Sequence, residues 1–181
     1  MTTARSITTL SVLAASTLLL PGCDSDSPAG PFTCTPGTPV VATFTNLGTF
    51  QAATVSEQGT TVTGSSNVNV LSLNGLGIVG GMFDNDVDGT EWIRFAFDDS
   101  PVSEVSYHVI VAGNLDGDGT GGDAVIEAFD RMGTSLGTTP VTGAGLHSVS
   151  TMFGDEPLSA FIVTADVDNF RISRVEYSPC Q

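Results

Sequence analysis

The sequence contains no lysine. Its only cations are five arginines, Arg5, Arg94, Arg131, Arg171 and Arg174, against 20 acidic residues, which leaves a formal net charge of −15. Such a chain repels a polyphosphate, and no basic patch or basic helix offsets that repulsion, so nucleic acid is excluded as a partner. Histidine is scarce as well. With His108 and His147 alone, both inside strand-like patterns, haem and copper sites lack ligands and a zinc site lacks its imidazoles. Charged residues amount to only 14% of a chain that is 40% hydrophobic, which is too apolar for disorder. With 21 glycines and 9 prolines the chain is too punctuated for a helical fold. What remains is an all-β domain, and 181 residues suffice for one domain of ordinary size.

The first stretch reads as an address. Arg5 is followed by a mostly apolar run from Ile7 to Leu20, too short for a comfortable membrane span, and then by Pro21, Gly22 and Cys23. Leu20-Pro21-Gly22-Cys23 resembles the lipobox of bacterial lipoproteins, with a leucine three before the cysteine and a small residue just before it. That resemblance implies that residues 1–22 are a signal peptide and that Cys23 is the lipidated first residue of the mature chain. The protein would then be exported and tethered by acyl chains to the cell membrane or the outer membrane, with no spanning helix. Asp24 follows the cysteine, and in some bacteria an aspartate there favours the inner membrane.

Residues 23–39 are rich in Ser, Pro, Gly and Thr without apolar periodicity, so they form a tether, and residues 40–181 form the folded domain. Two cysteines remain, Cys34 and Cys180. An even pair in an exported chain reads as a disulfide, which here brackets the domain and requires its start and end to be neighbours. Turn residues recur every eight to twelve positions between short strands, while Ile93, Phe95 and Phe97 share one face and Val105, Tyr107, Val109 and Val111 another. The pattern predicts a two-sheet β-sandwich, jelly-roll-like, with at most one short helix, which would fall in Leu47 to Gln58. A strand is expected from His147 to Met152.

Several segments carry a resemblance. Leu76-Gly77-Ile78-Val79-Gly80-Gly81, then Asp88-Gly89-Thr90-Glu91 and Ile93-Arg94-Phe95-Ala96-Phe97-Asp98, together with Val125 to Gly137 and Ala165 to Ile172, are similar to a jelly-roll domain frequent in exported bacterial proteins. Many of those proteins bear a PEP-CTERM sorting tail. The resemblance spans roughly residues 40 to 178, and it implies a sandwich similar to carbohydrate-binding domains but no particular activity. The segment Ser178-Pro179-Cys180-Gln181 does not resemble that sorting tail, so the N-terminal stretch is the expected export signal.

Acidic residues are unevenly spread, with 17 of the 20 lying between Asp84 and Gln181. Asp84, Asp86 and Asp88 alternate and are followed by Gly89. Asn114, Asp116 and Asp118 repeat the spacing before Gly119, with Asp123 nearby. Alternating oxygen ligands followed by glycine let a loop wrap a hard cation, so both are candidate calcium loops. Neither is an EF-hand, because the twelfth position holds Phe95 in one and Val125 in the other. The competing reading is that Asp and Gly simply make good turns. Asp166-Val167-Asp168-Asn169 poses the same choice, and a hairpin turn is the expectation.

Catalytic signals are weak, and no catalytic residue is assigned. Gly133-Thr134-Ser135-Leu136-Gly137 matches the nucleophile-elbow pattern, but a hairpin is expected there, not a strand followed by a helix. Glu91, Glu104 and Glu127 could be brought together by a sandwich, though nothing selects a pair for glycoside hydrolysis. Trp92, the sole tryptophan, lies on the face opposite Ile93, Phe95 and Phe97. It would be either an exposed platform for a sugar ring or part of a second core. The expected protein is therefore a lipid-anchored envelope module without enzymatic activity, stabilised by calcium and binding polysaccharide. The alternative is a scaffold that contacts an envelope protein.

Overall fold

The computed structural model describes residues 32–80, 85–113 and 121–181. Thr33 to Gln181 form one compact unit. Its strands are β1 (Val40–Thr43), β2 (Phe50–Ala52), β3 (Val55–Glu57), β4 (Thr60–Gly64), β5 (Val68–Leu71), β6 (Gly75–Ile78) and β7 (Trp92–Phe97). They are followed by β8 (Val102–Gly113), β9 (Ala124–Asp130), β10 (Ser135–Val141), β11 (Gly145–Ser148), β12 (Leu158–Ala165) and β13 (Asn169–Pro179). A single turn of helix, α1 (Val149–Met152), lies between β11 and β12.

All pairings are antiparallel and fall into two sheets. The first runs β2, β5, β6, β13, β8, β11, with β1 also on β13. The second runs β3, β4, β7, β12, β9, β10. Among the described residues, only the Leu158–Val102 pair joins them edge to edge. Strand alternation turns one face of each sheet inward, and the apolar residues on those faces meet. Phe95 from the second sheet packs against Phe44 (6.1 Å between ring centroids), and Phe97 against Tyr177 (4.7 Å). Tyr107 meets Phe161 at 5.6 Å. The result is an all-β sandwich around one core, as the apolar alternation of β7 and β8 predicts.

Two expectations are corrected. The Leu47 to Gln58 segment is not a helix: Phe50 pairs with Val70 and Val55 with Val62, making two short edge strands. Its apolar run is too short to nucleate a helix, and pairing with an existing strand satisfies the same backbone groups. The strand expected from His147 to Met152 stops at Ser148, and the helical turn follows. There the Ser150 hydroxyl accepts the Val105 amide at 2.7 Å, holding the turn against β8.

The ends of the domain are joined. Cys34 and Cys180 form a disulfide with their Cα atoms 5.0 Å apart. Around it the Gly37 amide donates to the Pro179 carbonyl at 2.7 Å and the Gln181 amide to that of Thr35 at 3.0 Å. The ordered domain therefore begins ahead of Val40, inside the Pro- and Gly-rich stretch. Among the described residues no helix is long and apolar enough to cross a membrane.

Candidate functional site

Strand direction brings the acidic segments to one end of the sandwich. β6 and β12 run toward that end, β7 and β13 run away from it, and β9 starts there, so the connections 79–91 and 166–168 and the approach to β9 share it. The backbone ties them together. Val87 and Phe170 exchange two hydrogen bonds, of 2.8 and 3.1 Å, the Ala165 amide donates to the Glu91 carbonyl at 3.0 Å, and that of Asp166 to Asp123 at 3.2 Å. Three segments that are far apart in sequence, each marked by its carboxylates, thus become neighbours.

Asp86 is the anchor of this end. Asn169 Nδ2 donates to its Oδ2 at 2.8 Å, and Arg171 Nε donates to its Oδ1 in an ion pair. Asp86 is nearly buried, so both carboxylate oxygens are spent on β13, and a cation in this loop would have to compete with Arg171 for them. Beside it the Asn69 amide donates to Asn85 Oδ1, and the Ile78 amide donates to the Asp86 carbonyl at 3.0 Å. Gly77 permits this contact, because a Cβ there would run into the Asn85 carbonyl. Asp88 and Asp168 are buried too, and the Asp88 amide donates to Glu91 Oε2 at 3.2 Å. The Oδ1 of Asn169, within a residue only 4% exposed, has no hydrogen-bond partner among the described residues.

Of the proposed calcium ligands, Asp86, Asp88 and Asp123 are described, whereas Asp84, Asn114, Asp116 and Asp118 lie outside the described residues, as does Cys23. Among the described residues no three His, Cys, Asp or Glu side chains converge as a metal-binding group.

Trp92 opens β7 at the same end. It is half-buried and lies outside the core, on the outward face opposite Ile93 and Phe95, with Arg94 next on that face. The three glutamates considered for catalysis are dispersed. Glu91 is at the acidic end, Glu104 accepts from the Ser178 hydroxyl at 2.7 Å near the opposite end, and Glu127 lies on β9, where it accepts from Ser135 at 2.6 Å. Ser135 itself follows a β-hairpin, in which the Asp130 carboxylate accepts the Met132 and Thr134 amides at 2.8 Å, and no helix follows it. His108 bonds Ser173 at 2.9 Å, while His147 stacks on Tyr107 and reaches the Gly143 carbonyl at 2.9 Å. The histidines act as packing and bracing groups.

Sequence reasoning overlooked Asn169 and Arg171 as partners of Asp86. The available signal was the rarity of cations: an arginine five residues after the acidic Asp166 turn invites the question of which carboxylate it meets. No protein-family model matches the chain, and no curated protein sequence matches it.

Proposed function

We propose that this chain is an exported bacterial lipoprotein, anchored to a cell-envelope membrane through Cys23, whose β-sandwich is a non-catalytic, calcium-stabilised module that binds polysaccharide. The observation that carries the reading is the meeting of three acidic segments at one end of the sandwich, beside a tryptophan that the core leaves partly exposed. Oxygen-only ligands favour calcium over softer metals. Because Asp86 is held by Arg171 and Asn169, the proposed ligand set falls chiefly on Asn114, Asp116, Asp118 and Asp123, with Asp84 and Asp88 as further candidates. The Oδ1 of Asn169, without a hydrogen-bond partner among the described residues, is one further oxygen at that end.

A second reading, an envelope scaffold that contacts another protein and has no glycan affinity, draws on Leu73. That residue is 77% exposed at a hairpin tip and holds a φ of 73°, a conformation L-residues rarely adopt.

The test is thermal unfolding of the full chain, stripped with EDTA and scanned at constant ionic strength with calcium, magnesium or neither. Calcium at a hundredfold excess over its dissociation constant should add about 2.7 kcal/mol, a rise of roughly 5 to 10 °C for a domain of this size. No rise, or an equal one with magnesium, returns the acidic loops to ordinary turns.

A further inference from the structure

We infer that the outward face of the second sheet, centred on Trp92 and Arg94, is the glycan-binding surface, and that its ligand is an uncharged polysaccharide chain lying across the strands. The inference rests on the polysaccharide-binding reading above and gives it a location and a ligand class.

The face follows from the register. Trp92 pairs with Thr164, and Arg94 pairs with Ile162, which in turn pairs with Glu127 of β9. Burial alternates along β7, β12 and β9 so that all five of these residues point away from the core and stay partly exposed. Neighbouring strands lie about 4.8 Å apart, comparable to the width of a pyranose ring, so Arg94 and Glu127 bracket Ile162 with backbones roughly 10 Å apart. A row of donor, apolar floor and acceptor, beside a planar aromatic, is suited to a ring that presents hydroxyls at its edge and C–H groups on its face.

Arg94 supplies the second observation. In a chain with 20 acidic residues, Arg94 forms no ion pair among the described residues, whereas Arg171 and Arg174 each hold a carboxylate. Its guanidinium keeps donors for a ligand. Charge selects the ligand class. Arg94 and Glu127 cancel on the face, while the chain as a whole carries −15, so a polyanion is repelled and a cationic partner is drawn to the acidic end instead. The edges of this sheet disfavour a protein that would add a strand. β3 has only three residues, and β10 carries Pro140 and a register shift between Ser135 and Gly137.

The sole tryptophan makes the test direct, since intrinsic tryptophan fluorescence reports this face alone. The full chain, solubilised in detergent, is titrated with hydroxyethyl cellulose, galactomannan, xyloglucan and, as the polyanion, polygalacturonate. Binding is read from Trp92 emission and from retardation in gels containing the same polymers. At least one uncharged polymer should shift the emission and retard the protein. Arg94→Ala and Trp92→Ala should each weaken retardation at least tenfold without lowering the melting temperature, and Arg174→Ala, on the other sheet, should leave it unchanged. Undiminished retardation of both face variants overturns the location and leaves the polysaccharide reading standing. Retardation by polygalacturonate alone overturns the ligand class, and no retardation by any polymer overturns both this inference and the reading on which it rests.

Discussion

Arg171 and Asp86 form an ion pair that fastens the connection between β6 and β7 to the start of β13, with side chains 15% and 9% exposed. Asn169, two residues before Arg171 on the same strand, takes the other carboxylate oxygen. One carboxylate thus holds two positions of β13, and the acidic end inherits its shape from that clamp. A pair this buried adds little net stability over a well-packed apolar replacement, but loss of one partner strands the other charge. Asp86→Ala should therefore cost about 3 to 5 kcal/mol of unfolding free energy, and Asp86→Ala with Arg171→Met should recover much of that loss. Urea denaturation of the two single variants and the double variant checks this. Additive losses would mean that the two side chains act separately.

Gly77 sits against the same clamp. A Cβ at this position would overlap the Asn85 carbonyl and crowd the Asp86 amide, both of them backbone atoms that cannot swing aside. Gly77→Ala is expected to cost at least about 3 kcal/mol, because the loop must move as a unit. Gly133→Ala is the control. It has open space around it but a φ of +79°, so only the backbone conformation is penalised, by about 1 kcal/mol. Equal losses in the two variants would remove steric contact as the reason for glycine at position 77.

The fold was more legible than the site because its signals are local. Ile93, Phe95 and Phe97 alternate within six residues, and that alternation alone orients β7. The two cysteines that bracket the domain likewise announce that its ends meet. The Asp86 clamp depends on residues 85 positions apart, and nothing in the spacing of Asp84, Asp86 and Asp88 separates a carboxylate that meets an arginine from one that meets a cation. Trp92 illustrates the boundary between the two cases: its outward direction follows from alternation, but its partial exposure depends on how distant segments pack. Leu47 to Gln58 misled because a short apolar spacing fits a helix as well as two edge strands, and only the partners on β4 and β5 decide between them.

The disulfide should carry a large share of the stability. It closes a loop spanning 146 positions, for which the chain-entropy model gives up to about 5 kcal/mol. The β1–β13 pairing and the Gly37–Pro179 hydrogen bond also join the ends, so the loss is expected mainly through the freed unfolded chain. Cys34→Ser with Cys180→Ser is expected to lower the melting temperature by roughly 10 to 20 °C. A fall below about 3 °C would mean that strand pairing alone closes the domain.

Tyr107 links stability to pH. Its ring packs among Phe161 and His147, its hydroxyl is buried without a hydrogen-bond partner among the described residues, and burial pushes the phenol well above its ordinary value of 10. Tyr177 is raised too, first by burial and then by the charges of Asp99 and Asp98, while its hydroxyl donates to the Gln58 carbonyl at 2.7 Å. As pH rises past 10, the unfolded chain releases these protons while the folded chain retains them. The unfolded state then binds fewer protons, and stability falls with pH. Below that range the contribution is fully present. Tyr107→Phe removes one of the two groups together with the unsatisfied hydroxyl, so at neutral pH it should stabilise the fold by about 1 kcal/mol. Its urea midpoint should also decline less steeply than that of the unaltered chain between about pH 9 and pH 11. Parallel declines would show that the Tyr107 hydroxyl reaches solvent, and a loss of stability at neutral pH would show that it has a bonding partner.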